Sequence, residues 1–117
     1  RVYLVEGTGK KCSFLRAAAE AAAVNVEVLN RRAEEIHNLT ADVITARAVA
    51  PLTKLLGYAE NLRHEHTICL FPKGQTLDVE LTEAAQSWRI EADRVQSRSD
   101  PTGTILVVRQ FVRVRSR

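Results

Sequence analysis

No run of about 18 apolar residues occurs in the 117-residue sequence, so no membrane-spanning helix is expected. No signal peptide is expected, because the chain opens on the strand-like Arg1-Val2-Tyr3-Leu4-Val5. Cysteine is scarce. Cys12 and Cys69 are too few for a disulfide scaffold and too far apart for a zinc site. Two reduced, buried thiols in a cytosolic protein are the expectation. His37, His64 and His66 lack metal-ligand spacing, so no metal site is expected. Internal repeats, low-complexity tracts and linkers are also missing, which leaves one domain over residues 1–117.

What is present suits a folded core. Apolar residues make up 45% and charged residues 26% of the chain, close to the globular average. The net charge of +3 is uneven. Residues 109–117 hold four arginines and no acid, and the remaining 13 basic and 14 acidic residues leave −1. The basic character therefore belongs to one terminal strand, and a uniformly basic nucleic-acid surface is not supported.

The order of elements is legible from periodicity. Val2–Val5 is a continuous apolar run, suited to a strand buried on both faces. Lys10–Ala23 is alanine-rich and helical, with Phe14 and Leu15 as its larger groups. Val26, Val28 and Leu29 form a second strand, and 32–36 suits one helical turn. A third strand covers 42–46. Pro51 opens a helix that carries Leu52, Leu55, Leu56, Ala59 and Leu62 at helical spacing. A fourth strand covers 67–71 and is closed by Pro72-Lys73-Gly74; a helix follows over 77–85. Two β-like segments, 88–95 and 104–112, flank a turn at 99–103. Strands alternating with helices imply parallel βαβ units, and the final pair an antiparallel edge.

In a doubly wound sheet, ligands bind at the carboxyl ends of the strands. Glu6 stands directly after the first strand, where an acid accepts hydrogen bonds from ribose hydroxyls, or is an ordinary loop carboxylate. Gly7-Thr8-Gly9-Lys10 is not a Walker loop: Leu4 replaces the first glycine and Lys11 the Ser or Thr. Lys10, Lys11 and Arg16 can still hold a nucleic-acid phosphate, or be a solvated basic helix face. Ala33-Glu34 follow the second strand. Arg47 follows the third between apolar neighbours and needs an anionic partner. Lys73 follows the fourth and is expected to point toward the same crevice. Arg109, Arg113 and Arg115 are expected on one face of the last strand, contacting RNA backbone or protecting a sheet edge.

These loops together resemble a known family. The residues that carry the likeness are Leu4-Val5-Glu6-Gly7-Thr8-Gly9-Lys10-Lys11 with Phe14-Leu15-Arg16, then Asn25-Val26 with Arg32-Ala33-Glu34-Glu35. The most specific stretch is Ala41-Asp42-Val43-Ile44-Thr45-Ala46-Arg47-Ala48-Val49-Ala50-Pro51-Leu52. Phe71-Pro72-Lys73-Gly74-Gln75 and Ile105-Leu106-Val107-Val108 follow. The chain resembles the bacterial 16S rRNA (guanine-N7) methyltransferases, the glucose-inhibited division protein B family, over essentially its whole length. The resemblance implies a Rossmann-like class I fold that uses S-adenosylmethionine to methylate N7 of a guanine in 16S ribosomal RNA. Carried over, Glu6 meets the cofactor ribose, Ala33 and Glu34 line the adenosine pocket, and Arg47 contacts cofactor or target. Lys10, Lys11, Arg16, Arg32 and Lys73 match basic positions that face the RNA. Gly7 stands where the family commonly has serine.

One departure is large. The family's N-terminal helical segment, first strand and glycine-rich cofactor loop have no counterpart here, so residues 1–117 correspond to the C-terminal part of the domain. In the family that first strand lies between the strands ending at Glu6 and Ala46. Without it, two apolar strand edges are expected to be open and to invite self-association, and the chain is not expected to be active alone. Guanine N7 carries a lone pair and no proton, so the lack of an evident catalytic base is expected. Alignment of the reacting atoms carries the reaction, at about 7–11 kcal/mol at best. Two other readings fit fewer residues: a non-catalytic RNA-binding α/β module, and a nucleotide-binding α/β enzyme of another class.

Overall fold

The computed structural model describes residues 2–37, 39–46 and 50–114. It divides into two compact units, Arg1–His37 and Asn38–Arg117. Six strands and three α-helices follow the expected order. β1 (Val2–Glu6), α1 (Gly9–Ala21), β2 (Val26–Asn30) and a 3₁₀ turn (Ala33–Glu35) build the first unit. β3 (Ala41–Thr45), α2 (Leu52–Glu60), β4 (Arg63–Lys73), α3 (Leu77–Ala84), β5 (Trp88–Gln96) and β6 (Thr104–Arg113) build the second.

In the first unit β1 and β2 run parallel, with Val2 opposite Val26 and Glu6 opposite Asn30. α1 packs Cys12 inward, fully buried; Val28 of β2 and Ile36 complete a small apolar interior. The helix ends two residues before the expected Ala23. Val24 N–H donates to Ala19 O and Ala23 N–H to Glu20 O, the two bonds of a Schellman motif. That geometry needs a left-handed residue, and Ala23 supplies it at φ 55° where glycine is the usual choice.

The second unit is a four-stranded sheet in the order β3-β4-β6-β5. β3 and β4 are parallel; β6 is antiparallel to both β4 and β5. Leu52, Leu55, Leu56 and Ala59 of α2 meet Phe71, Trp88, Leu106, Val108 and Phe111 in one core. β4 begins at Arg63, earlier than the Thr67 expected. Two histidines and a glutamate give 63–66 no apolar signal, yet pairing with β3 already begins at Arg63 opposite Ala41. Thr67 ties the two strands, its buried hydroxyl donating to Ala41 O and accepting His64 N–H at 2.8 Å.

The last strand corrects the expectation drawn from its arginines. β6 lies inside the sheet, so it has no edge to protect; β5 is the edge strand. A register shift between Glu91 and Ala92 leaves Arg109 as an extra residue, because Glu91 pairs with Gln110 and Ala92 with Val108. The alternation slips there: Leu106 and Val108 are buried, and then Phe111. Arg109 Nε donates to Asp93 at 2.9 Å, and Arg113 Nε to Glu60 at 2.9 Å while its guanidinium lies 4.5 Å over the Trp88 ring. Both arginines are thus partnered within the protein. Arg115 lies outside the described residues.

β1 and β3 each have one hydrogen-bonded neighbour. β1 pairs with β2 and β3 with β4; among the described residues no strand takes the other edge of either.

Candidate functional site

In the first unit, parallel pairing brings the carboxyl ends of β1 and β2 side by side, with Glu6 opposite Asn30. The chain turns from β1 into α1 through Gly7 and Thr8. The turn is held from three directions. Glu6 Oε1 accepts the Thr8 amide at 3.2 Å. The buried Cys12 thiol donates to Glu6 O at 3.2 Å. A Cβ at Gly7 would lie 3.4 Å from Arg32 Cγ, and one at Gly9 would lie 3.5 Å from Asn30 Nδ2. The β1–α1 turn and the loop after β2 therefore lie within van der Waals reach of each other, with room for a Cβ at either glycine.

The 3₁₀ turn after β2 is capped reciprocally. Arg32 N–H donates to Glu35 Oε1 at 2.9 Å, and Glu35 N–H donates to Arg32 O at 2.9 Å. Glu35 is thereby committed to structure. Ala33 is half-buried and Glu34 exposed, which leaves the Glu34 carboxylate facing solvent. Glu6 is half-buried, and its second oxygen has no hydrogen-bond partner among the described residues. A carboxylate so placed can accept hydrogen bonds from a pair of vicinal hydroxyls. Ala33, first in the turn after β2, is small and half-buried. Residues of these types at two adjacent strand ends suit a nucleoside. The chain contains no glycine-rich loop of the kind that receives the rest of a nucleotide-like cofactor. A groove of about 430 Å³ in the same unit, lined by Arg16, Glu20, Val24, Glu27 and Val28 among others, includes none of Glu6, Ala33 and Glu34.

The basic residues fall into two groups. Lys10 and Lys11 are exposed on the first turn of α1, with no ion pair among the described residues. Arg16 is exposed and leans onto β2, its Nη2 3.4 Å from Val28 O. Arg32 is exposed next to the β1–α1 turn. Lys73, in the second unit, is placed differently from an RNA-facing cation. Its side chain is 8% exposed and its ammonium meets Glu80 Oε1 at 2.8 Å. Glu80 Oε1 also accepts the Leu52 amide at 2.9 Å, and Oε2 accepts the Thr76 hydroxyl at 2.9 Å. Lys73 Nζ donates further to Ala50 O at 3.4 Å. This network ties β4 and α3 to the start of α2, so the charge of Lys73 serves the architecture. Arg47 lies outside the described residues.

Neither displaced pKa belongs to the strand-end site. Burial pushes the Cys69 thiol up to about 11, against the opposing charge of Arg63. Burial also acts to raise Glu80, but the hydrogen bonds from Lys73, Thr76 and Leu52 and the charge of Lys73 outweigh it and hold the carboxyl below its ordinary range. Among the described residues no three metal-binding side chains gather, and no helix is long and apolar enough to cross a membrane.

Periodicity does not single out Cys12, Glu35 or Glu80. Cys12 and Glu35 have a usable signal: Cys12 is on the helix face that carries Leu15 and Ala19, and Glu35 is at the third position after Arg32. Glu80 has none, because its partners come from two other elements.

The family model described as GidB, rRNA small subunit methyltransferase G, matches residues 1–104. The chain belongs to this family. Ribosomal RNA small subunit methyltransferase G of Paramagnetospirillum magneticum is 46% identical over 115 residues, 98% of this chain and 56% of that protein. The protein of the same name from Caulobacter vibrioides is 44% identical, over 98% of this chain and 53% of its own length. The chain spans about half the length of these curated relatives. Among solved structures, a methyltransferase from Pyrococcus furiosus matches with a TM-score of 0.69 at 16% identity, over 93% of this chain and 62% of its own. A point mutant of MtNAS in complex with S-adenosylmethionine matches with a TM-score of 0.70 at 18% identity, over 94% and 45%. The fold is the Rossmann-like α/β fold of class I methyltransferases.

Proposed function

We propose that this chain is the C-terminal part of a single cytoplasmic methyltransferase domain that transfers a methyl group from S-adenosylmethionine to N7 of a guanine in 16S ribosomal RNA. The observation that carries the reading is the half-buried Glu6 carboxylate at the end of β1, with one oxygen unused and the capped Ala33–Glu34 turn beside it. Names of relatives at 44–46% identity support the reaction class.

Bound S-adenosylmethionine supplies an electrophilic methyl group. Glu6 would accept the ribose hydroxyls, and Ala33 and Glu34 would line the adenosine pocket. Lys10, Lys11, Arg16 and Arg32 hold RNA phosphates. Arg47 is assigned to cofactor or target on resemblance alone, as a positioning group: a cation close to the guanine would oppose the positive charge that the base gains on alkylation. Guanine N7 has no proton to remove, so the residues need only bind and orient.

Size favours a domain completed by more chain. Only Cys12, Val28 and Ile36 form the buried apolar interior of residues 2–37, and a unit of this size without metal or disulfide is below what usually folds independently. The one-sided pairing of β1 and β3 fits a strand supplied from outside these residues. In its absence we expect concentration-dependent association through those edges, readable by sedimentation.

Calorimetry with S-adenosylmethionine tests the assignment, on this chain and on one extended to the relatives' full length. Saturable binding, lost in Glu6→Ala, is expected of the extended chain. Full affinity in Glu6→Ala refutes the site.

A further inference from the structure

α1 has two unlike faces. Cys12, Leu15 and Ala19 turn inward, and Arg16 reaches β2. The opposite face carries Phe14, 71% exposed, the most exposed of the large hydrophobic side chains among the described residues. One helical turn before it stand Lys10 and Lys11; after it come Ala17, Ala18 and Ala21, all exposed. Residues three and four apart are neighbours on a helix surface. Phe14 therefore shares an exposed helix face with Lys10 and Lys11 on its N-terminal side and Ala17, Ala18 and Ala21 on its C-terminal side. The only acid in the helix, Glu20, is exposed and lines the groove together with Arg16.

A lone exposed phenylalanine is ordinary. This arrangement is more specific. The alanines leave the ring uncovered, and the lysines have no ion pair among the described residues. A polyanion with unstacked bases matches both features at once, phosphates for the ammoniums and a base face for the ring.

We propose that Phe14 is a stacking platform for an unpaired base of the RNA, with Lys10 and Lys11 on the adjoining phosphates. The proposal rests on the RNA reading above. It narrows the substrate to an open or single-stranded segment, because the face of a base is available to an aromatic ring only when unstacked.

The test uses the chain extended to the relatives' full length, a mixed-sequence ten-nucleotide single-stranded RNA, the matching duplex, and heparin as a charge-only control. Phe14→Trp places a reporter at the site, read as the difference from the parent; the one tryptophan of residues 1–117, Trp88, is 3% exposed and in the other unit. Single-stranded RNA is expected to quench the new emission, and duplex and heparin are not. Phe14→Ala is expected to weaken single-strand affinity about 5- to 150-fold, with Phe14→Tyr restoring it and the melting temperature unmoved. Lys10→Ala and Lys11→Ala are each expected to reduce the salt slope by about 0.7. Unchanged affinity in Phe14→Ala overturns the proposal, and so does equal quenching by heparin. If Phe14→Ala instead abolishes self-association, the face is a protein contact. Absence of RNA binding by the parent chain at low salt overturns both this proposal and the RNA role of the lysines. Stacking without S-adenosylmethionine binding by the extended chain refutes the methyltransferase reading alone.

Discussion

Removing the Glu80 carboxylate is expected to be the most damaging single-group change in the second unit. Glu80 is 14% exposed and Lys73 8%. Glu80→Ala strands a buried ammonium and leaves the Leu52 amide and Thr76 hydroxyl without their acceptor. Breaking a buried pair from one side costs about 3–5 kcal/mol, because the surviving charge stays desolvated. Replacing both partners by apolar groups, as in Lys73→Met with Glu80→Leu, strands no charge and is expected to cost far less. Trp88 supplies the assay. It is the single tryptophan, buried in the same core, 5.6 Å from Phe111 and edge-on to it. At an m-value of about 2 kcal/mol/M, the urea midpoint of Glu80→Ala should fall by about 2 M. A fall under about 0.5 M, or a double variant as unstable as the single one, would refute the reasoning.

The same group predicts an acid limb. The folded Glu80 carboxyl is held below its ordinary value, so it adds stability that is fully present above the unfolded value of 4.5 and is lost as pH falls through the folded one. The parent chain should lose urea resistance below about pH 4.5 more steeply than Glu80→Gln, which has no proton to take up. Parallel pH curves for the two proteins would contradict this.

Two further outcomes follow from local structure. Ala23→Gly relieves a left-handed alanine at the end of α1 and should raise the stability of the first unit by about 0.5–1 kcal/mol; a decrease in helical melting temperature by circular dichroism would count against the Schellman geometry. Cys69, fully buried and pushed up to about 11, should resist a thiol reagent at about pH 8 in a Cys12→Ala background until urea unfolds the protein; rapid stoichiometric labelling of the native chain would show the core to be open.

The order of elements is legible because each strong apolar period has one consistent reading. The leucines of α2 are buried as their spacing requires. Val2–Val5 is a strand as read, but it is not buried on both faces, since Val2, Tyr3 and Val5 are exposed beside an edge that no described strand covers. What stays hidden depends on pairing across elements. The first four residues of β4, Arg63-His64-Glu65-His66, carry no strand pattern of their own; they extend because Ala41 and Thr67 hold them there. The position of β6 between β4 and β5 is a fact of topology, and no periodicity within residues 104–113 distinguishes an edge strand from an interior one.

The candidate site divides along the same line. Glu6, Ala33 and Glu34 can be picked out because a strand end followed by a loop is a local event. The cations are harder, because a sequence counts charges without their partners. Arg109, Arg113 and Lys73 read as available in the sequence. In the fold Glu80 pairs with a buried Lys73, and Asp93 and Glu60 each accept from an arginine Nε while both arginine side chains stay more than half exposed. Lys10 and Lys11 read as equally ordinary, yet they keep their charge exposed beside an uncovered aromatic ring. Lack of a partner alone does not select α1, since Arg31, Lys54, Arg89 and Arg98 are also exposed without an ion pair among the described residues. What sets Lys10 and Lys11 apart is the exposed Phe14 on the same helix face, and that is why the proposed RNA contact is placed on α1.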